Sequence, residues 1–339
     1  MSTVTPTPAP ATAEALPMVS RRTQIWRGIR DSAPIFFVLA LLLIAIGLLN
    51  PRGFDAAYFL TIVKRAAPLA MLAAGELFVI VAGEFDLSVG SIVTVVVVGS
   101  AVLTHGDPNL TWLVIAGLIA FGVVVGIVNG GLTAIVGVPS FIVTLGMLLI
   151  LDGGVALWTS GAPRGSLPVN LRMFGRDSLQ GVPIVGQVPY AVFVVLICGA
   201  IAFILLHRTN FGRRVFAVGG NSRAAALAGV SVPRTKIVAF VLSALLAVIS
   251  GILLAGFGGL SNRAGAGMEF GAISAVVLGG AVLGGGKGSV ITAIAGAFTL
   301  EALFTVLNLD GLPVEVRSTV QGAIIIAAVA YASYRLRKG

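Results

Sequence analysis

The sequence predicts an all-α, polytopic integral membrane protein of about ten transmembrane helices with both termini in the cytoplasm. Composition is the first reason. Of the 339 residues, 57% are hydrophobic and only 10% charged, and the mean hydropathy is +1.05. A soluble domain carries roughly a quarter charged residues, because water must wet its surface. So little charge cannot cover a globule of this size, and lipid must be the solvent for most of the surface. The second reason is that the apolar residues fall into runs of membrane-crossing length. The third is the placement of Lys and Arg between those runs.

The chain begins with a stretch that cannot pack a core. Met1 to Val19 are rich in Thr, Pro and Ala and hold one charge, Glu14, so residues 1–33 read as a disordered cytoplasmic tail. Arg21 and Arg22 have a faint twin-arginine look, but no small-residue cleavage site follows promptly and many spans come after. With Arg27 and Arg30 they read instead as the inner charge that orients the first span.

Apolar segments follow at Pro34–Leu49, Ala66–Val81, Leu87–Leu103, Leu110–Val136, Pro139–Trp158, Val188–Leu206, Ile237–Phe257, Met268–Leu283, Ser289–Leu307 and Pro313–Tyr334. Each is near the roughly 17–25 residues that a bilayer core requires. Together they define a transmembrane body over residues 34–334, with 335–339 as a cytoplasmic tail. Arg52, Lys64 and Arg65 fall between the first two runs, on a short interfacial segment. If the amino terminus is inside, the N-terminal arginines, the loop from Arg208 to Lys236, Lys287, and Arg335, Arg337 and Lys338 are all cytoplasmic. The outer side receives Arg52, Lys64, Arg65, Arg164, Arg172, Arg176, Arg263 and Arg317, the smaller share of the 22 basic residues. Positive charge is retained inside, which selects this orientation over its inverse. The net charge of +9 is thus a topology signal rather than a nucleic-acid footprint.

Two connections are long. Residues 159–187, with Gly161, Pro163, Gly165, Pro168, Gly175, Gly181, Pro183 and Gly186, form a turn-rich outer loop, either a docking face for a soluble partner or a lid or tether. Within the spans, Gly122-x-x-x-Gly126-x-x-x-Gly130 is a small-residue ridge that lets helix backbones approach closely, inside one subunit or at a dimer seam. The lone Cys198 excludes an intrachain disulfide, and His105 and His207 do not form a zinc motif, so no metal or other cofactor is expected.

The second long connection, His207–Lys236, is the longest polar interruption in the chain. Asn221 or Ser222 can cap a helix, Arg223-Ala224-Ala225-Ala226-Leu227-Ala228 favours helix, and Gly229 suits the left-handed terminating position before Pro233. About two turns of helix outside the membrane result, either an ordinary surface helix or one that transmits a push. The stretch Val218-Gly219-Gly220-Asn221-Ser222-Arg223-Ala224-Ala225-Ala226-Leu227-Ala228-Gly229-Val230 resembles the cytoplasmic segment of ribose-type ABC sugar permeases. Phe85-Asp86-Leu87-Ser88-Val89-Gly90-Ser91 is similar to that family's I-D-L-S-V-G-S signature, and GAGMEFGAISAVVLGGAVLGGGKG from Gly265 to Gly288 resembles a third motif in the expected order. The resemblance covers roughly residues 55–335.

The resemblance implies a permease subunit of a bacterial importer in the plasma (inner) membrane. Its partners would be an ATP-binding subunit on the cytoplasmic face, a periplasmic sugar-binding protein outside and a second permease subunit, identical or paralogous. Gly219, Gly220, Asn221, Ala225, Leu227 and Gly229 would carry the coupling to the ATPase. Glu84 and Phe85 stand where the family commonly has a small residue and Ile, and Ala281-Val282 stand where Thr or Ser is common. These departures leave open which sugar is carried.

Gly284-Gly285-Gly286-Lys287-Gly288-Ser289 invites comparison with a phosphate-binding loop. A Walker A loop needs a first Gly where Ala281 stands and Ser or Thr directly after the Lys, where Gly288 stands. The segment reads as a flexible turn, and the motor must be another chain. Asp86 and Ser88 open the third run, where capping free backbone N–H groups is the usual role for these types and sugar contact the alternative. Glu76, Asp152 and Glu301 lie within runs and Glu269 at an end, and intramembrane carboxylates mark functional or water-lined positions. None has a basic residue one helical turn away. Hydroxyl-pairing and aromatic side chains suit a neutral sugar, so Asp86, Ser88, Asn129, Ser140, Phe141, Thr144, Asp152, Trp158 and Glu301 are the pathway candidates. The expected function is translocation of a monosaccharide without covalent chemistry. The rivals are an amino-acid or nucleoside permease, a proton-coupled transporter using Asp152 or Glu301, and an intramembrane enzyme, for which no nucleophile, base and metal set is visible.

Overall fold

The computed structural model describes residues 21–183, 185–313, 315–316, 319–324, 326–327 and 330, with side chains from residue 34 onward. The helices are α1 (Arg21–Leu49), α2 (Ala56–Val81), α3 (Val89–Thr104), α4 (Thr111–Gly131), α5 (Ser140–Thr159), α6 (Val169–Arg176), α7 (Tyr190–Arg208), α8 (Asn210–Gly220), α9 (Ser222–Leu227), α10 (Val232–Gly258), α11 (Met268–Leu278) and α12 (Val290–Leu309). A hairpin of β1 (Ser178–Val182) and β2 (Gly186–Pro189) interrupts this helical order.

α2 and α10 form the centre. α2 is buried continuously from Ala70 to Val81, and α10 packs against α2, α3, α4 and α6. Glycine sets how closely these helices approach. A Cβ on Gly126 would stand 2.6 Å from the Val241 Cα of α10, and one on Gly130 2.6 Å from the Ile237 Cα. The Gly122–Gly126–Gly130 ridge is therefore spent on the α4–α10 contact inside one subunit. Ser250 of α10 donates to the Pro68 carbonyl of α2 at 2.8 Å, a bond worth making where no water competes.

Several boundaries differ from those read off hydropathy. α1 starts at Arg21, so the expected tail boundary at residue 33 falls inside a helix, while residues 1–20 lie outside the described set. Backbone hydrogen bonding continues into polar sequence because helix formation does not require apolar side chains. α2 likewise starts at Ala56 rather than Ala66, placing Lys64 and Arg65 on the helix instead of on an interfacial segment. α11 has 11 residues, about 16 Å of helix against a core of about 30 Å, so helix accounts for only about half of the crossing expected at Met268–Leu283. It stops at Gly279, whose Cβ would meet the Thr292 carbonyl oxygen of α12 at 2.5 Å. The last apolar run is described in part, with helical backbone at 315–316 and 319–324. Among the described residues, five helical stretches are long and apolar enough to cross a membrane, and three shorter apolar ones accompany them.

The outer loop 159–187 also departs from expectation, since it carries α6 and most of the hairpin and the protein is not purely α. Leu171 and Gly175, one turn apart, face inward on α6, and Gly175 sits so close to α10 that a Cβ would come within 2.0 Å of the Leu253 carbonyl. Lys64 Nζ donates to the Arg176 carbonyl at 2.5 Å, tying the end of α6 to α2. The strands pair antiparallel through Leu179–Val188 and Gln180–Gln187. Their Gly and Pro content masked them as turn.

Candidate functional site

Two polar regions interrupt the apolar bundle, and together they hold most of the residues singled out by sequence. The first is an elbow of two helices between α7 and α10. Thr209 caps α8 by accepting the Gly212 N–H at 3.3 Å. Asn221, extended at φ −162°, ends α8 and caps α9 by accepting the Ala224 N–H at 2.9 Å. α9 terminates with Gly229 at φ +81°, where Gly229 N–H bonds the Ala226 carbonyl at 2.9 Å and Val230 N–H the Ala225 carbonyl at 3.0 Å. Those two bonds are a Schellman termination and satisfy carbonyls that a short helix would otherwise leave open. Ala225 is buried, whereas Leu227 is 91% exposed. The spacing predicted α9 with its cap and terminator but not α8, a stretch that holds Gly212, Gly219 and Gly220 beside the adjacent Arg213 and Arg214.

The elbow rests on the end of α2. A Cβ on Gly219 would lie 1.7 Å from the Val81 carbonyl oxygen, so only glycine fits there. Gly286 N–H donates to that same carbonyl at 2.9 Å, and the turn around it is closed by Gly285 N–H to the Val282 carbonyl at 2.9 Å. The glycines of the 284–288 segment thus allow close backbone contact with Gly219 and Gly220. Phe211 of α8 stacks on Phe78 of α2 at 6.3 Å, and His207 lies between Phe203 and Phe216.

The second region is the break between α2 and α3. Gly83 takes φ +85° and turns the chain back along α2. Asp86 N–H then reaches the Glu76 carboxylate at 3.1 Å. Asp86 Oδ1 accepts the Ser88 N–H at 3.1 Å and its hydroxyl at 2.6 Å, so Asp86 supplies the turn bond ahead of α3 while Ser88 makes no cap bond of its own. The Ser88 oxygen accepts from Asn129 Nδ2 of α4 at 2.9 Å. Phe85 is held at both ends by α5, with its N–H to Ser140 Oγ at 3.2 Å and its carbonyl to Thr144 Oγ1 at 3.4 Å. Ser243 of α10 abuts Asp86.

Glu76, Asp86, Ser88 and Asn129 are wholly buried, and neither carboxylate forms an ion pair among the described residues. Glu76 Oε2, Asp86 Oδ2, Asn129 Oδ1 and Ser243 Oγ have no hydrogen-bond partner among the described residues. Buried acceptors without donors are costly, which makes this break the least satisfied part of the bundle. It can offer hydrogen bonds to a polyol only if the break opens.

Of the pathway candidates, Asp86, Ser88, Asn129, Ser140 and Thr144 come together here. Phe141 and Asp152 do not, because they lie on the exposed face of α5, and Trp158 does not, because it stands near the far end of α5 beside Gly99 of α3. Glu301 is elsewhere, 3.1 Å from Arg65 Nε of α2. That partner escapes a search along one helix because it comes from another. Glu76 and Ser243 belong to the cluster and were not among the candidates. Glu76 was visible as an intramembrane carboxylate, while Ser243 gives no sequence signal.

The family described as "Branched-chain amino acid transport system / permease component" matches residues 58–329. The ribose import permease protein of Bacillus subtilis is 34% identical over 307 residues, covering 89% of this chain and 92% of that protein. That of Escherichia coli K12 is 34% identical over 86% of this chain and 90% of its own length. The autoinducer 2 import system permease protein of Klebsiella pneumoniae is 35% identical over 87% of this chain and 84% of its own length. No solved structure matches the chain.

Proposed function

The chain belongs to the branched-chain amino acid transport system permease family, and from that membership we propose that it is the permease subunit of an ABC importer for a monosaccharide. The sugar is ribose-, xylose- or galactose-like, arrives on a periplasmic binding protein, and crosses at the expense of ATP hydrolysed by a separate subunit. The observation that carries this reading is α9: a helix fixed at both ends, held by α8 whose Gly219 is seated on the end of α2, and presenting Leu227 to solvent. An apolar side chain 91% exposed outside the apolar helices suits a groove in another protein.

The finer arrangement belongs to the same proposal. The protein crosses the bacterial inner membrane about ten times with both termini inside, as the positive-inside bias supports. It works beside a second permease subunit, identical or paralogous. α6 and the hairpin form the face toward the binding protein, and the 82–88 break lines the pathway. ATP binding in the partner would bias outward and inward states through differential contacts at the elbow. Autoinducer 2 permeases among the relatives support a second reading in which the cargo is another small polar solute handled by the same machinery.

The test is co-purification followed by reconstitution. An ATPase subunit should come down with the chain in stoichiometric amount, and the complex in liposomes should accumulate sugar only with ATP and binding protein. The double substitution Ala225→Asp, Leu227→Asp should abolish association while membrane insertion persists. Sugar uptake on an ion gradient without any ATPase would remove the importer reading.

A further inference from the structure

We propose that the Glu84–Lys236 ion pair is a coupling link that makes the 84–88 break follow the cytoplasmic elbow. This rests on the importer reading and adds a positioning pair to it. Lys236 lies in the first turns of α10, only a short connection after α9, and its ammonium pairs with the Glu84 carboxylate from the far side of the sequence. The two side chains are 17% and 15% exposed, so the pair is largely shielded from the screening that weakens surface pairs.

The placement gives the pair leverage. His207–Lys236 carries Arg208, Arg213, Arg214, Arg223, Arg234 and Lys236 but no carboxylate, so an electrostatic tie from the elbow must come from another element. Glu84 supplies it. On the opposite side of the same turn, the Gly219 backbone sits against Val81 and Gly83. The break is therefore gripped at two points, one steric and one electrostatic, by elements that flank α9.

From Glu84 the chain passes directly into Phe85, bonded to Ser140, and Asp86, bonded to Glu76. A push on α9 that moves the start of α10 must either carry residues 84–86 with it or separate two partly buried charges. The second course is the costlier one. Moving residues 84–86 instead breaks neutral or poorly satisfied bonds in the buried cluster.

The experiment uses the co-purified complex in liposomes with its periplasmic binding protein added, with radiolabelled ribose, xylose and galactose as probes and ATP hydrolysis measured in parallel. Glu84→Gln and Lys236→Met should each lower sugar moved per ATP about tenfold while the ATPase stays bound, within the range of a coupling-network mutation. The exchanged pair Glu84→Lys with Lys236→Glu should recover the ratio to within about threefold of wild type. Neutral variants that keep the wild-type ratio, or an exchanged pair no better than either single change, would overturn the link alone. A wild-type complex that accumulates none of the probes with ATP and binding protein removes the monosaccharide-importer reading, and the link, which rests on it, falls with it.

Discussion

The elbow at 209–230 and the break at 82–88 are both short polar interruptions between apolar helices, yet they are held in opposite ways. The elbow's bonds close within a few residues: Thr209 with Gly212, Asn221 with Ala224, Gly229 with Ala226. The break's bonds span the chain, from Asp86 to Glu76, Ser88 to Asn129 and Phe85 to Ser140. One is exposed and locally complete, the other buried and short of donors. A self-capped element can keep its shape while it moves as a body. A cluster assembled from α2, α4, α5 and α10 changes its bonds whenever those helices shift. The difference assigns rigidity to the exposed elbow and adaptability to the buried break, the division that the proposed importer cycle needs.

The sharpest break of that contrast is at their junction. Gly219→Val drives a side chain into the Val81 carbonyl and should cost about 3 kcal/mol, read as a lower thermal midpoint in detergent. Gly220→Ala next to it meets open space and should change stability by under about 0.5 kcal/mol. Equal effects at the two glycines would mean the elbow is not seated on α2.

Within the break, Asp86→Ala strands the Ser88 N–H and hydroxyl and should cost about 2 kcal/mol together with most transport. Asp86→Asn keeps an acceptor and should cost less, as the same thermal and uptake assays would show. In the elbow, Asn221→Ala removes a local cap worth about 1 kcal/mol. Its effect should appear as weaker ATPase association, with Asn221→Ser retaining most of it. Leu227→Asp should leave the thermal midpoint unchanged, since the side chain is 91% exposed, while ATPase co-purification is lost. A large stability loss from Leu227→Asp would show that the residue is buried by the protein itself.

The two regions were unequally legible. Asn221 and Gly229 could be assigned because capping and left-handed termination depend on residues only a few positions apart, whereas Gly219, named through the family resemblance, owes its place to Val81 across the chain. Five pathway candidates met at the break, but Phe141 and Asp152 share the exposed side of α5 and Trp158 stands at its far end beside Gly99 of α3, because residue type says nothing about which face of a membrane helix turns inward or how deep a residue sits. The hairpin and α6 were missed since glycine and proline signal turns whether or not strands or a helix lie between them.

What the sequence determined alone is whatever composition and short-range chemistry control. Lipid is the main solvent, most Lys and Arg fall outside the apolar runs, and a capped helix stands between α7 and α10. What tertiary structure decided are relationships across the chain: the glycine ridge against α10, Arg65 beside Glu301, Glu76 joined to Asp86, and Glu84 to Lys236. The reason is physical. In a bilayer nearly every helix is apolar on all sides, so hydrophobic periodicity no longer says which face meets which, and only close packing and a few buried polar bonds choose the partners.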